Sequence, residues 1–592
     1  MDDFIFGSLA TEEKRLDRIL TFRSGVTHNF QREPLKPLPD QSVTIRLSVG
    51  PSYPCDQAFV YWTADGSDPI GGFGIAGNGI AAPMSLEKTE WDTLLWGYVS
   101  HFSVTLPGFA DKTMVRYRIG AMVRDRGEIF ADEEKVYAFY VHRNLPPSWA
   151  TDAIVYQIFS ERFFPGDGKR WRKPSKLTGF YGGTLKGITA KMDYLSDLGV
   201  NTLWLTPIFP SPSHHGYDAL DLFDIEPRLG TKDDLKDLID QAHTRNIRIL
   251  LDFVPNHISF QHPIFRDAAT NPNSRYKKWF TFKHWPDVYV TFFGVKSLPQ
   301  INLRNAEARR YVLDAARYWL EFGVDGYRVD YALGPTPDFW AEFFRTTRAV
   351  KPDCWIFGEI VDPPDVQLAF IGGLDGALDF MLLEALRQAI AFGRWDAVRL
   401  SIFLDRHEAF FPVTFSRPSF LDNHDMNRFL WAAGNDKRKL RLGAVCQFTL
   451  AGAPVVYYGT EVGLTQERDV LQNGRGVIEE SRLPMIWGSH QDTELLAFYK
   501  TLISIRKQYQ VLRSGRRVTI LAQDQVLVYA REDSRSKVVT AMNFGDSTAK
   551  TVLQGDYVPL LITDEDCTVI PSAGETIVQL SGLGAAILNF IG

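Results

Sequence analysis

The chain has little cysteine. Its four cysteines, Cys55, Cys354, Cys446 and Cys567, are spread over 592 residues, and three lie in apolar runs. That scarcity excludes a disulfide scaffold and fits buried, reduced thiols in a reducing compartment. Long hydrophobic runs are also missing: no stretch reaches the roughly 18 apolar residues that a membrane-crossing helix needs, so no membrane partner is expected. The start, MDDFIFGSLATEEKRLDRIL, has acidic residues where a secretory leader carries basic ones, and the expected location is the cytoplasm. Nor is there an excess of positive charge. With 65 Lys+Arg against 71 Asp+Glu the formal net charge is −6 and no long basic run occurs, which disfavours nucleic acid and suits a neutral ligand. Histidine is sparse, and the adjacent His214 and His215 have no further His, Cys or Glu at ligand spacing, so no metal site is assigned. Repeats and low-complexity tracts are absent.

With 45% apolar and 23% charged residues, the chain is globular, and its length predicts three or four domains. From 153 to 508, strand-like runs alternate with amphipathic helix patterns. The runs are AIVYQIF (153–159), NTLWLTPIF (201–209), IRILLDFV (247–254), VDGYRVD (324–330), CWIFGE (354–359), GALDF (376–380), PSFLDN (418–423) and PVVYYG (454–459). Thr231 and Asn305 stand where helix N-caps are needed. Eight strands with intervening helices predict an α/β fold, a (β/α)8 TIM barrel over 146–512. The aromatic-rich stretch 258–302 is too long for a plain connection and reads as a small inserted domain after strand 3. Residues 1–145 read as a short helix plus a β-sandwich and 513–592 as a second β-sandwich. Trp62, Trp91 and Trp96 in the first sandwich read as a sugar platform or, in preference, as ordinary core.

Four polar islands close four of the barrel runs: ILLDFVPNH (249–257), VDGYRVDYA (324–332), CWIFGEI (354–360) and SFLDNHD (419–425). A carboxylate ending an apolar strand is costly to bury unpaired, and strand C-termini carry the site in such barrels, so together they mark an active site. Arg328 and Asp330, two apart, share one strand face. The arginine would keep the aspartate ionised for nucleophilic attack, or the two form a structural ion pair. Glu359, approached through apolar residues, suits a proton donor or is simply a solvated strand exit. Two carboxylates on adjacent strand ends are what glycosidic cleavage requires. Asp425 behind His424 adds a third. His257, His215 and Tyr217 add neutral donors and an aromatic platform, while Asp252 and Asn256 read as supports or loop caps.

From about Ala153 onward these residues resemble the α-amylase family, glycoside hydrolase family 13. The carrying segments are VYQIFSERF, GGTLKGITAKMDYLSDLGVNTLWLTPIF, HGYDALDLFDIEPRLGT, DFVPNH, GYRVDYA, FGEI, FLDNHD and GAPVVYYGTEVGL. The resemblance implies Asp330 as nucleophile, Glu359 as general acid/base and Asp425 as transition-state stabiliser. It makes His257, Arg328 and His424 substrate donors and Tyr217 the stacking aromatic. Within the family the chain looks most like the cyclomaltodextrinase, neopullulanase and maltogenic amylase group. That implies retaining hydrolysis of α-1,4 bonds, with α-1,6 bonds as a further option, in cyclodextrins, maltodextrins, pullulan or starch, with transglycosylation as a side reaction and a homodimer as the assembly some members form. An α-glucosidase, a glucan transferase and a non-catalytic scaffold relative are the alternatives. The chain departs from the group at Leu333 and Gly334, where Asn then Glu is usual, and at Val361, where an aromatic is usual. No cofactor is required by this reading. Calcium is bound by some members after the first strand, but here that loop reads PGDGKRWRKP, with Thr184 in place of an Asp, and looks dismantled.

Overall fold

The computed structural model describes residues 12–472 and 475–592. Eight short strands form the central barrel: β1 (Val155–Ile158), β2 (Thr202–Leu205), β3 (Arg248–Phe253), β4 (Gly326–Val329), β5 (Trp355–Gly358), β6 (Gly376–Ala377), β7 (Ser419–Phe420) and β8 (Pro454–Tyr457). They are parallel, β1 to β6 neighbour one another in sequence order, and β8 joins β1 to β7. A bridge between Gly376 and Ser416 closes the ring. The strands are shorter than the apolar runs that foretold them. In GALDF, for example, Asp379 leaves the sheet to accept from the Leu382 N–H and cap the helix Phe380–Leu386.

The caps are where local chemistry puts them. Thr231 and Asp234 exchange reciprocal side-chain-to-backbone bonds ahead of Lys232–Thr244. Asn305 accepts from the N–H groups of Glu307 and Ala308 and starts Ala306–Phe322, whose Val312, Ala316, Trp319 and Leu320 face the barrel.

The stretch 258–302 holds a helix (Pro263–Thr270) and a small hairpin (Phe282–His284 with Val288–Tyr289). Its aromatics divide. Phe265 and Phe280 meet edge to face at 4.8 Å and join the barrel's core, whereas Phe292 and Phe293 turn toward the strand ends.

The N-terminal region is two sheets sharing one long strand, Ile80–Asp92, which pairs first with Cys55–Thr63 and then with Gly97–Leu106. Val43, Ile45, Val60, Trp62, Phe102 and Tyr117 fill the space between. The tryptophan expectation needs correction. Trp62 is core at 8% exposure, but Trp91 is 45% and Trp96 78% exposed, because the hairpin that carries them runs on past the end of the neighbouring strand Val43–Val49, whose last pairing is Val49 with Ser100. Arg116 of this region reaches the barrel and pairs with Asp338 and Glu342, which also hold Arg309. After the barrel, a five-stranded and a three-stranded sheet enclose Val528, Val539, Leu553, Val578 and Leu588. All four cysteines are free; Cys55 is half-buried and the rest are buried. Among the described residues no helix is long and apolar enough to cross a membrane.

Candidate active site

The register of β4 and β5 builds the centre. Val329 lies opposite Gly358, so Asp330 and Glu359 are the next residues out of the sheet, side by side at the barrel's C-terminal rim. Their backbones stay tied to the neighbouring strands: Asp330 N–H donates to Phe253 O at 2.8 Å and Glu359 N–H to Val329 O at 2.9 Å. Alternation along β4 points Arg328 inward, where it is fully buried and lies over the Trp204 ring at 5.2 Å.

Arg328 is shared. Its Nη1 donates to Asp252 Oδ1 at 2.7 Å and Asp330 Oδ1 at 2.9 Å, while Nη2 lies 2.7 Å from Glu359 Oε1. Asp252 supports the cluster from β3, accepting also from Trp204 Nε1 at 3.0 Å and the Tyr217 hydroxyl at 2.9 Å. Asn256 Oδ1 accepts from Gln300 Nε2 at 2.9 Å, and its Nδ2 lies 3.2 Å from His257 Nδ1. From β7, His424 approaches Gln157 Nε2 through Nδ1 at 2.7 Å and Asp425 Oδ2 through Nε2 at 2.8 Å. Tyr217 lies with its ring parallel to His424 and its hydroxyl 2.5 Å from Nε2. Tyr217 N–H in turn donates to His215 Nδ1 at 3.1 Å, which fixes the HGY turn. Residues from four strand ends and the loop after β2 thus converge on one rim.

Burial dominates the electrostatics. It pushes Asp330 well above the usual carboxylate range; Arg328 opposes, while Glu359 and Asp252 add to the rise. Glu359 is raised by burial and by Asp425 against the pull of Arg328. The idea that Arg328 alone holds Asp330 low is therefore corrected: a single guanidinium serves three carboxylates, and burial outweighs it. Asp425 is the exception. Burial raises it, but His424, Arg482 and Arg328 together bring it below the ordinary range. His257 is lowered to about 3 by burial and His215, and His215 to about 4 chiefly by burial, so both are neutral donors or acceptors. Burial and the neighbouring Arg162 lower His214 to about 2.

Sequence reasoning missed Arg482. It donates through Nη2 to Asp425 Oδ1 and through Nε to His424 O, both at 2.7 Å, from a segment beyond β8. Nothing in the spacing of SRLPMIW connects it to FLDNHD. Gln157 and Trp204 were missed as well, since an amide and an indole inside apolar strands carry no local signal. The loop Pro165–Pro174 presents lysine rather than oxygen ligands around its acid: Asp167 lies 3.9 Å from Lys169 and 3.7 Å from Lys186. Thr184 donates to Pro165 O at 2.7 Å and caps the next helix. Among the described residues no group of three His, Cys, Asp or Glu is arranged to hold a metal ion.

Comparison with known proteins agrees with this geometry. Residues 157–491 match the family described as alpha amylase, catalytic domain. Alpha-amylase 2 of Dictyoglomus thermophilum is 39% identical over 79% of this chain and 82% of its own length. A cyclomaltodextrinase of Geobacillus thermopakistaniensis is 35% identical over 76% of this chain and 82% of its own. A solved structure titled cyclomaltodextrinase superposes with a TM-score of 0.69 at 27% identity, covering 96% of this chain and all of that one.

Proposed function

The chain belongs to the α-amylase family and is an α-glucan hydrolase, and from that premise we propose a retaining mechanism carried by Asp330, Glu359 and Asp425. Asp330 attacks the anomeric carbon as the glycosidic C–O bond breaks, and Glu359 gives its proton to the departing oxygen. Glu359, now a carboxylate, takes a proton from water, whose oxygen displaces Asp330 and releases the sugar with its configuration kept. Asp425, held ionised by His424 and Arg482, binds sugar hydroxyls as the ring distorts. His215, His257, Arg328 and His424 position the sugar and Tyr217 stacks on it. The single observation that carries the reading is Arg328 held between Asp330 and Glu359. One guanidinium spanning both carboxyls favours the roughly 5 Å spacing of retaining enzymes over the wider gap that an interposed water needs.

For the substrate, the reading is cyclodextrins and short maltodextrins ahead of polymeric starch. Phe292 and Phe293 stand beside His257 and Tyr331 at the rim, and a crowded cleft admits a compact ring or chain end more readily than a branched polymer. The departures at Leu333, Gly334 and Val361 lie toward the acceptor side, where they bear on the ratio of transfer to hydrolysis. A Cβ at Gly334 would lie 2.0 Å from Asn256 Oδ1, so no larger residue fits there without displacing Asn256. The exposed Trp91, Trp96 and Tyr98 of the N-terminal hairpin support a homodimer. Four free cysteines fit the cytoplasm. No calcium is needed, because the loop at Asp167 is neutralised by lysines.

The test is a panel of β-cyclodextrin, pullulan, soluble starch and maltotriose, with products identified with and without an acceptor sugar. Comparable kcat/KM per unit mass on starch and β-cyclodextrin would remove the substrate preference. Sedimentation of a Trp96→Asp variant tests the assembly, with a shift to monomer expected.

A further inference from the structure

Tyr331, the residue after Asp330, has φ +40°, a left-handed conformation that a bulky side chain adopts only when its surroundings impose it. Two sets of contacts do so. On one side the ring is clamped by the inserted segment: it meets Phe292 edge to face at 4.9 Å and Phe293 at 5.0 Å. Phe293 is itself left-handed, at φ +45°, and the loop is held by Phe292 N–H donating to Leu298 O at 3.0 Å and Val295 N–H to Phe292 O at 2.8 Å. On the other side the turn is pinned by Gly334 N–H to Tyr331 O at 3.0 Å and by Trp340 Nε1 to Ala332 O at 2.9 Å. The outcome of this twist is chemical. It aims the Tyr331 N–H at Glu359 Oε2, 3.2 Å away, while Oε1 of the same carboxyl is held by Arg328.

We infer that Tyr331 is a positioning residue for the acid/base: the aromatic clamp from the inserted segment keeps its backbone turned so that its N–H holds Glu359. The inference rests on Glu359 being the acid/base. The groups that face Glu359 are Arg328, Asp425, His424, the Tyr331 N–H and, on the next strand, Asp330; the Tyr331 phenol is close as well. Of these the N–H favours the charged carboxylate, so its withdrawal raises proton affinity and moves the basic limb of the rate profile to higher pH.

Two substitutions at one position separate backbone from ring. In Tyr331→Gly the left-handed conformation is unstrained and the N–H remains. In Tyr331→Val the branched side chain is incompatible with φ +40° and the turn must relax. The kcat–pH profile is expected to keep its basic limb within about 0.2 pH unit in the glycine variant. It is expected to rise by about 0.5 unit or more in the valine variant, with kcat roughly tenfold lower. An unmoved limb in the valine variant, or equal shifts in both, overturns the inference. If the valine variant does not fold, Phe293→Ala is read instead: a smaller upward shift supports the clamp and no shift overturns it. Glu359→Gln on glucosides with very good leaving groups is the independent control. Failure of selective rescue there removes the acid/base assignment itself, whatever the Tyr331 variants do.

Discussion

Two buried arginine clusters in this molecule look alike and are built to opposite ends. Where the N-terminal region meets the barrel, Arg116, Arg309 and Arg345 face Asp68, Asp338 and Glu342, three cations for three anions, with Arg116 Nη1 2.5 Å and Arg309 Nη2 2.8 Å from Asp338. At the barrel rim, Arg328 alone touches Asp252, Asp330 and Glu359. The first cluster is balanced and fastens one region to another. The second has more negative charge than its guanidinium can neutralise, and burial, with the neighbouring carboxylates adding to it, raises the proton affinity of Asp330 and Glu359. The difference teaches how to tell a fastening from a reactive site: each arginine meets three carboxylates, and what separates them is whether further arginines share those carboxylates, as Arg309 and Arg345 do around Arg116.

The comparison breaks most sharply at Asp330. Asp330→Asn is expected to lower kcat by about a thousandfold or more, because an amide cannot form the glycosyl ester, while the melting temperature stays level or rises as buried repulsion is relieved. More than a small percentage of residual activity with an unchanged melting curve would reject the nucleophile. Glu359→Gln comes next, losing about a hundredfold or more on ordinary glucosides and recovering on those whose leaving groups need no proton. Equal loss on both classes would count against the acid role. At the balanced cluster the signs reverse. Asp338→Ala leaves two buried cations short of an anion and should cost about 3 kcal/mol of stability, read by denaturant unfolding, with kcat within about twofold. A large kcat loss there would show that the clusters are coupled.

A pH titration sharpens the same contrast with a smaller effect. A carboxyl whose folded pKa lies above its unfolded value binds its proton more tightly in the folded state. The stability this contributes is therefore fully present below the unfolded value, about 4, and is lost as pH rises through the folded one. For Asp330 and Glu359 both directions are upward. Melting temperature should consequently fall with rising pH above the ordinary carboxylate range, less steeply in Asp330→Asn, and both limbs of the rate profile should lie above that range. A parent and variant with the same slope would show that Asp330 is not raised. The smallest effect is expected from chelation. At Pro165–Pro174 the charges are solvated and Asp167 already has lysines near it, so EDTA should leave activity and melting temperature nearly unchanged. A drop of many degrees restored by calcium would point to ligands elsewhere, with Asn256 the first to test.

Much of this was written locally in the chain. Thr231 and Asn305 announced their helices because a cap depends on residues two or three positions away. Arg328 and Asp330 announced a shared face because strand period is two, and the closing carboxylates announced the rim because an apolar run cannot end in charge without a reason. What stayed hidden needed neighbours distant in sequence. Arg482 reaches Asp425 from 57 residues away. Trp91 and Trp96 look like core by composition, yet their hairpin outruns the neighbouring strand Val43–Val49. The upward direction at Asp330 could not be read from its arginine, since it depends first on how deeply barrel closure buries the carboxyl and then on which other carboxylates are brought beside it.

The sequence by itself determined the eight-stranded order, the helix starts and the carboxylates that close the strands, because strand and helix period, capping and the cost of isolated charge act over a few residues. The tertiary structure alone decided which carboxylates share Arg328, how far burial raises them, and that a phenylalanine pair from an inserted segment holds Tyr331 against Glu359. Those are properties of distances between strands, and distance between strands exists only after the barrel has closed.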